Sequence, residues 1–206
     1  MNTLWSEAHN IGIELPDKPP TKGAFCQSRN KLKAKVIKGI MIKSSTVFYE
    51  KFGNKFLWKG HRVLAVDGSK YTLPASQELV GKFGRQNCGK ADAHYPQALV
   101  SIMFDVRAKI ALDIEVGRYD DNERTQLKKL IKSVKLDDLL IMDRGYPSYE
   151  VFFELLDKKL NFLIRLPQTK TFRVVEEFIA GKECQALITI EEPNKKGRKV
   201  ILRILK

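Results

Sequence analysis

No apolar run in this chain of 206 residues reaches the roughly 18 residues that a membrane-spanning helix needs, and the N-terminus carries no apolar stretch of the signal-peptide kind. Cysteine is scarce: Cys26, Cys88 and Cys184 are odd in number, far apart and outside any Cys-x-x-Cys pair, which argues against a disulfide framework. His9, His61 and His94 supply no zinc-ligand spacing. These absences predict a cytoplasmic protein with no membrane association and with reduced, structural thiols. Acidic charge is also short. Against 24 Asp and Glu stand 37 Lys and Arg, a net charge of +13, and residues 1–62 carry 12 basic and only 4 acidic side chains. A surplus of this size attracts polyanions, although a solvated lysine surface is the plainer reading of the same numbers.

What the chain does have is one construction used twice. Val63-Leu64-Ala65-Val66-Asp67-Gly68-Ser69 and Leu139-Leu140-Ile141-Met142-Asp143-Arg144-Gly145 each pass from a short buried-strand pattern to a carboxylate and then to glycine within two residues. Strand-end carboxylates are suited to Mg²⁺ or Mn²⁺, which take oxygen ligands and activate water against phosphodiesters. A strand-end Asp before Gly is also a common turn former. Ser69 and Lys70 would serve as a nucleophile and its base only with a third group to orient them, and none is placed to do so. A phosphohydrolase with Asp67 as nucleophile would want a second acid where Ser69 stands.

Around these blocks the patterning orders the chain. Residues 1–60 form a basic helical N-terminal region: an arm broken by Pro16, Pro19 and Pro20, then helical patterning from Ala24 to Phe56. In that segment Leu32, Val36, Ile40 and Val47 share a face, with Arg29, Lys31, Lys33, Lys35 and Lys38 on the others. Residues 61–167 form the core. A strand from Val63 to Asp67 continues past Gly68 towards Pro74, residues 75–94 read as a long loop, and Gln97–Val106 and Lys109–Val116 as an antiparallel hairpin. A helix opens at Glu123 after Asp120-Asp121-Asn122, followed by a strand to Asp143, a helix over Tyr149–Leu160 and a strand from Asn161 to Leu166. Three antiparallel strands and then helix, strand, helix, strand make an α/β, ribonuclease-H-like mixed sheet, in which the first and fourth strands are neighbours. Residues 168–206 read as the start of a β-rich insertion, with a hairpin turning at Pro193–Gly197.

These residues resemble the bacterial insertion-sequence transposases of the DDE type. The resemblance is carried by Trp58–Ser69 with Leu73-Pro74, by Tyr95-Pro96-Gln97-Ala98, by Glu123-Arg124, and by Asp143-Arg144-Gly145-Tyr146-Pro147-Ser148 with Phe152 and Phe162-Leu163-Ile164-Arg165. Ala24–Arg29 with Leu32 is similar to the family's N-terminal helical region. The resemblance implies DNA transposition by metal-dependent strand cleavage and strand transfer. It makes Asp67 and Asp143 the first two of three metal-holding carboxylates, with Mg²⁺ or Mn²⁺ as cofactor. The implied partner is double-stranded DNA, bound by Arg29, Lys31, Lys33, Lys35 and Arg144, in a nucleoid-associated protein that works as a homodimer on paired ends.

The departure is the third acid. In the family it is a glutamate on a later helix, and no such block occurs here; Glu115, Glu123, Glu176 and Glu177 read instead as helix-cap or surface acids. The chain stops at Lys206 in mid-strand, so the expectation is a truncated polypeptide whose third acid lies beyond it. The alternative function is a non-catalytic DNA-binding remnant.

Overall fold

The computed structural model describes residues 6–7, 10, 12, 14, 18–29, 31–86, 95–168, 172–192 and 197–206. The chain forms two compact units, Met1–Ile40 and Met41–Lys206. Pro16, Cys88, His9, His94 and the turn at Pro193–Lys196 lie outside the described residues.

Helix α1 (Lys22–Arg29) starts where the Thr21 hydroxyl accepts the Ala24 N–H at 3.1 Å, a side-chain cap for an otherwise orphaned donor. The segment expected to be helical from Ala24 to Phe56 is not one helix. The Ser28 and Arg29 carbonyls accept the Lys31 and Leu32 N–H groups in tight three-residue turns, and α2 (Ala34–Phe52) begins afresh before a short 3₁₀ turn at Gly53–Phe56. The apolar residues predicted to pack along this segment are exposed: Ile40 keeps 62% of its surface in water, and the one buried residue of α2 is Ser45. Near its end α2 turns aromatic, with Phe48 packed on Tyr49, Phe52 and Phe56 at ring separations of 5.4–5.6 Å.

The second unit is built on a five-stranded sheet in the order β3-β2-β1-β4-β5. Strand β1 (Val63–Thr72) pairs antiparallel with β2 (Gln97–Asp105), which pairs antiparallel with β3 (Ile110–Arg118). On its other side β1 pairs parallel with β4 (Leu139–Met142), which pairs parallel with β5 (Asn161–Ile164). This is the ribonuclease-H-like arrangement expected from the order of elements. Parallel neighbours need crossovers, and these are α4 (Glu123–Leu130) and α5 (Tyr149–Asp157), capped by the side chains of Asn122 and Ser148. The two helices cover one sheet face, burying Leu64, Val66, Met103, Leu140 and Met142 against Leu127, Leu130, Val151 and Leu155.

Two helices were not expected from the sequence. Residues 75–94, read as loop, contain α3 (Gln77–Phe83), a helix that buries nothing and ends at Gly84 with φ of 77°. The stretch after Pro167 contains α6 (Arg173–Ala180), which buries Val175 and Phe178. These join Phe152 and the expected hairpin, β6 (Gln185–Glu191) and β7 (Lys199–Leu205), in a second core containing Ile188, Ile190 and Ile204.

Candidate active site

Strand register places the two aspartates. Val66 is paired with Met142 in the parallel β1–β4 ladder, and Asp67 and Asp143 are the next residue on each strand. Asp67 is in the middle of β1, where alternation turns it to the face opposite Val66, and Asp143 directly follows the last residue of β4. Both are exposed.

The register itself is fixed at the other end of the pair. Arg62, just before β1, donates from Nε to Asp138 Oδ1 at 2.6 Å and from Nη2 to Oδ2 at 2.5 Å, while its carbonyl accepts the Leu139 N–H at 2.9 Å. Asp138 is 1% exposed and also accepts the Lys135 N–H, so this fork is a buried, multiply satisfied ion pair. It clamps β1 to β4 at Val63–Leu139, and the aspartates each follow as the fourth residue beyond that pair. Neither Arg62 nor Asp138 carries a signal of this role in the sequence pattern.

Asp143 is also the turn former its sequence allowed. Its Oδ1 accepts the Gly145 N–H at 2.8 Å, which shapes the Arg144–Gly145 turn. Arg124, second residue of α4, holds the same turn by donating from Nε to the Gly145 carbonyl at 3.1 Å.

Glu123, beside Arg124, stands in the first turn of α4, as expected of a helix-start acid, and its side chain also runs along the backbone of Gly68. A Cβ at Gly68 would fall 2.6 Å from Glu123 Cγ, 2.7 Å from Cδ and 2.8 Å from Oε1. A Cβ at Gly145 would lie 3.1 Å from Asp143 Oδ1 and 3.8 Å from Glu123 Oε2, so both carboxylates border that glycine. The Glu123 carboxyl is held above its ordinary range, first by partial burial, then by the charges of Asp67 and Asp143, with Lys70 opposing. Tyr146, three residues past Asp143, is wholly buried, and its hydroxyl has no hydrogen-bond partner among the described residues. Burial, and then Glu123, Asp67 and Asp143, push that phenol far above its usual range.

The other candidates fall elsewhere. Arg144 is exposed beside Asp143, and Arg29, Lys31, Lys33 and Lys35 are all exposed on α1, α2 and their connection. Ser69 and Lys70 alternate to opposite faces of β1, and the Lys70 ammonium lies 5.7 Å from the Tyr119 ring, so they form no nucleophile and base. Glu115 is 3.8 Å from Lys129, and Glu177 accepts from Arg173 at 2.8 Å.

Carboxylate oxygens, with no thiolate or imidazole beside them among the described residues, suit a hard divalent cation rather than zinc. Among the described residues, no three His, Cys, Asp or Glu side chains are already gathered around one ion position. No helix among them is long and apolar enough to cross a membrane.

The strand order β3-β2-β1-β4-β5, with Asp67 and Asp143 following the Val66–Met142 pair, defines a ribonuclease-H-like domain. Within it, residues 58–203 match the model of the Transposase DDE domain family, and the chain belongs to that family. It is 22% identical over 205 residues to the transposase InsG for insertion sequence element IS4 of Escherichia coli (strain K12). That alignment covers 96% of this chain and 46% of InsG, so the chain spans about half the length of that relative. Among solved structures it is similar to the Mos1 transposase paired-end complex with left transposon end, at 10% identity and a TM-score of 0.35, over 79% of this chain and 49% of that one. It is likewise similar to the piggyBac transposase synaptic complex with hairpin DNA, at 14% identity and a TM-score of 0.38, over 62% and 28%. The fold assignment rests on strand order rather than on these distant likenesses.

Proposed function

We propose that this chain carries the Asp67 and Asp143 half of a metal-dependent site for DNA strand cleavage and strand transfer in transposition. The observation behind this reading is the Val66–Met142 pairing, after which Asp67 continues along β1 and Asp143 leaves the end of β4. Asp67 and Asp143 would hold Mg²⁺ or Mn²⁺, which when bound supplies Lewis-acid activation of the attacking and leaving oxygens. The residues of this chain do the positioning. The Arg62–Asp138 clamp sets the height of one acid against the other, and Arg124 holds the turn after Asp143. Exposed Arg29, Lys31, Lys33, Lys35 and Arg144 supply contacts to the phosphates of double-stranded DNA. Two copies would act on two element ends.

The test separates metal holding from turnover. Fe²⁺ with ascorbate and peroxide, added to the 206-residue chain, should cut the polypeptide near Asp67 and near Asp143. Excess Mg²⁺ and the Asp67→Asn change should both suppress the cuts. A second reading, a DNA-binding remnant without cleavage chemistry, is favoured by the lack of a gathered three-residue group among the described residues. It predicts unchanged DNA binding and no localised cutting.

A further inference from the structure

We propose that Arg165, with Arg203 and Lys206, forms a phosphate-binding track that carries one DNA strand from the aspartates across β5 to the β6–β7 hairpin. This rests on the reading of Asp67 and Asp143 given above and adds where the strand lies beside them. Strand register supplies the first observation. Met142 is paired with Ile164, and the Arg165 N–H donates to the Met142 carbonyl at 3.0 Å, so Arg165 leaves the end of β5 as Asp143 leaves the end of β4. Neighbouring strands lie about 4.8 Å apart, which puts the backbone of Arg165 roughly one strand spacing from that of Asp143. Opposite charges so placed commonly pair, and these do not. Among the described residues neither forms an ion pair. Asp143 Oδ1 takes the Gly145 N–H instead, and Arg165 is exposed on the wall of a cavity.

That cavity is the second observation. It encloses about 860 Å³ between β5, α6 and the β6–β7 hairpin, and its wall reaches Met142, the residue before Asp143. Arg165, Arg203 and Lys206 line it, all three exposed, and among the described residues no Asp or Glu does. The cations of the hairpin divide accordingly. Lys199 pairs with Glu191 at 3.4 Å, and Arg198 with Asp157 and Glu192, outside the cavity wall. Arg203 donates to the Gln185 amide oxygen and Lys206 to the Gly181 carbonyl, neutral partners that leave both charges uncompensated. The rest of the wall is mostly apolar, and low-dielectric walls focus the field of the charges set in them. Guanidinium groups match phosphate oxygens in geometry as well as in sign. An acidic protein segment would answer the same three charges, but their contiguity with Asp143 favours the strand that reacts there.

Fluorescence anisotropy of a labelled DNA duplex, titrated with the 206-residue chain across a range of salt concentrations, tests this. Arg165→Ala should reduce the magnitude of the log–log salt slope by roughly 1, and alanine at Arg165, Arg203 and Lys206 together by roughly 2 to 3. Arg165→Lys, which keeps the charge, should restore the slope, and Lys199→Ala should leave it unchanged. Titration calorimetry should find the same Mn²⁺ affinity in Arg165→Ala as in the unaltered chain, and circular dichroism the same fold; Arg165→Gln carries the test if the alanine variant fails to fold. An unchanged slope in the triple variant overturns the inference and leaves the reading of the aspartates intact. So does an unchanged slope joined to loss of binding to poly-L-glutamate, which would assign the cavity to an acidic protein segment. A reduced slope with no Mn²⁺ binding by the unaltered chain upholds the cationic track and overturns the reading of the aspartates instead.

Discussion

Asp67 and Asp143 stand at matched heights on neighbouring parallel strands, one residue past the Val66–Met142 pair, although two strands and two helices intervene between them in sequence. The pairing is enforced from the opposite end of the ladder, so the geometry of the site depends on residues that never touch it.

That dependence predicts the effect of breaking the clamp. Asp138→Ala leaves Arg62 as an uncompensated charge that is largely buried, its side chain 12% exposed. The expected cost is about 3 to 5 kcal/mol in urea unfolding, together with loss of Mn²⁺ affinity, because β1 and β4 are released from their register. Unchanged stability would mean that the strands are aligned by their apolar side chains alone.

A second anchor ties α2 to the sheet. The Tyr49 hydroxyl donates to Asp105 Oδ2 at 2.5 Å, and Asp105 Oδ1 accepts the Arg107 and Ala108 N–H groups at 2.8 Å each. Tyr49→Phe should cost about 1.5 to 3 kcal/mol, the worth of a hydrogen bond to a charged acceptor. Metal binding should be unaffected. Chemical denaturation followed by tryptophan fluorescence measures the first and titration calorimetry the second.

The pH dependence of stability should carry the signature of Glu123. Its folded-state pKa lies above the ordinary value of 4.5 because of burial and then Asp67 and Asp143. In the window just above 4.5 the folded protein therefore holds a proton that the unfolded chain has released. Stability from this group is greatest below that window and declines as pH rises through it. Without metal, Glu123→Gln should raise the melting temperature at neutral pH and flatten the decline. Circular dichroism melts across the acid-to-neutral range read both effects.

Duplex DNA binding should depend strongly on salt. Replacing Arg29, Lys31, Lys33 and Lys35 together by alanine should reduce the magnitude of the log–log salt slope by roughly 3 to 4 if each residue meets a phosphate. Fluorescence anisotropy between low and moderate salt measures it, and an unchanged slope would move the DNA-binding surface away from α1 and the start of α2.

The fold was legible where periodicity was strong. Buried runs such as Val63–Val66 and Leu139–Met142, and helices opened by Asn122 and Ser148, declare themselves through hydrophobic pattern and capping chemistry. Helix α3 did not, because it buries no residue and so has no apolar face to detect. The stripe Leu32, Val36, Ile40 and Val47 misled for the opposite reason: its spacing is helical, but its exposure is fixed by what surrounds it, which local pattern does not encode. At the site, Asp67 and Asp143 could be named because each follows a buried apolar run, although β1 continues past Asp67 to Thr72. Glu123 could not, since a glutamate in a first helical turn is adequately explained by the helix dipole.

The most direct measurement is a crystal of the 206-residue chain soaked in MnCl₂, with the anomalous difference map computed at the manganese edge. The account predicts a peak within about 2.0 to 2.3 Å of a carboxylate oxygen from both Asp67 and Asp143. A peak bound by one aspartate alone, or no peak beside Asp67 and Asp143, would contradict it.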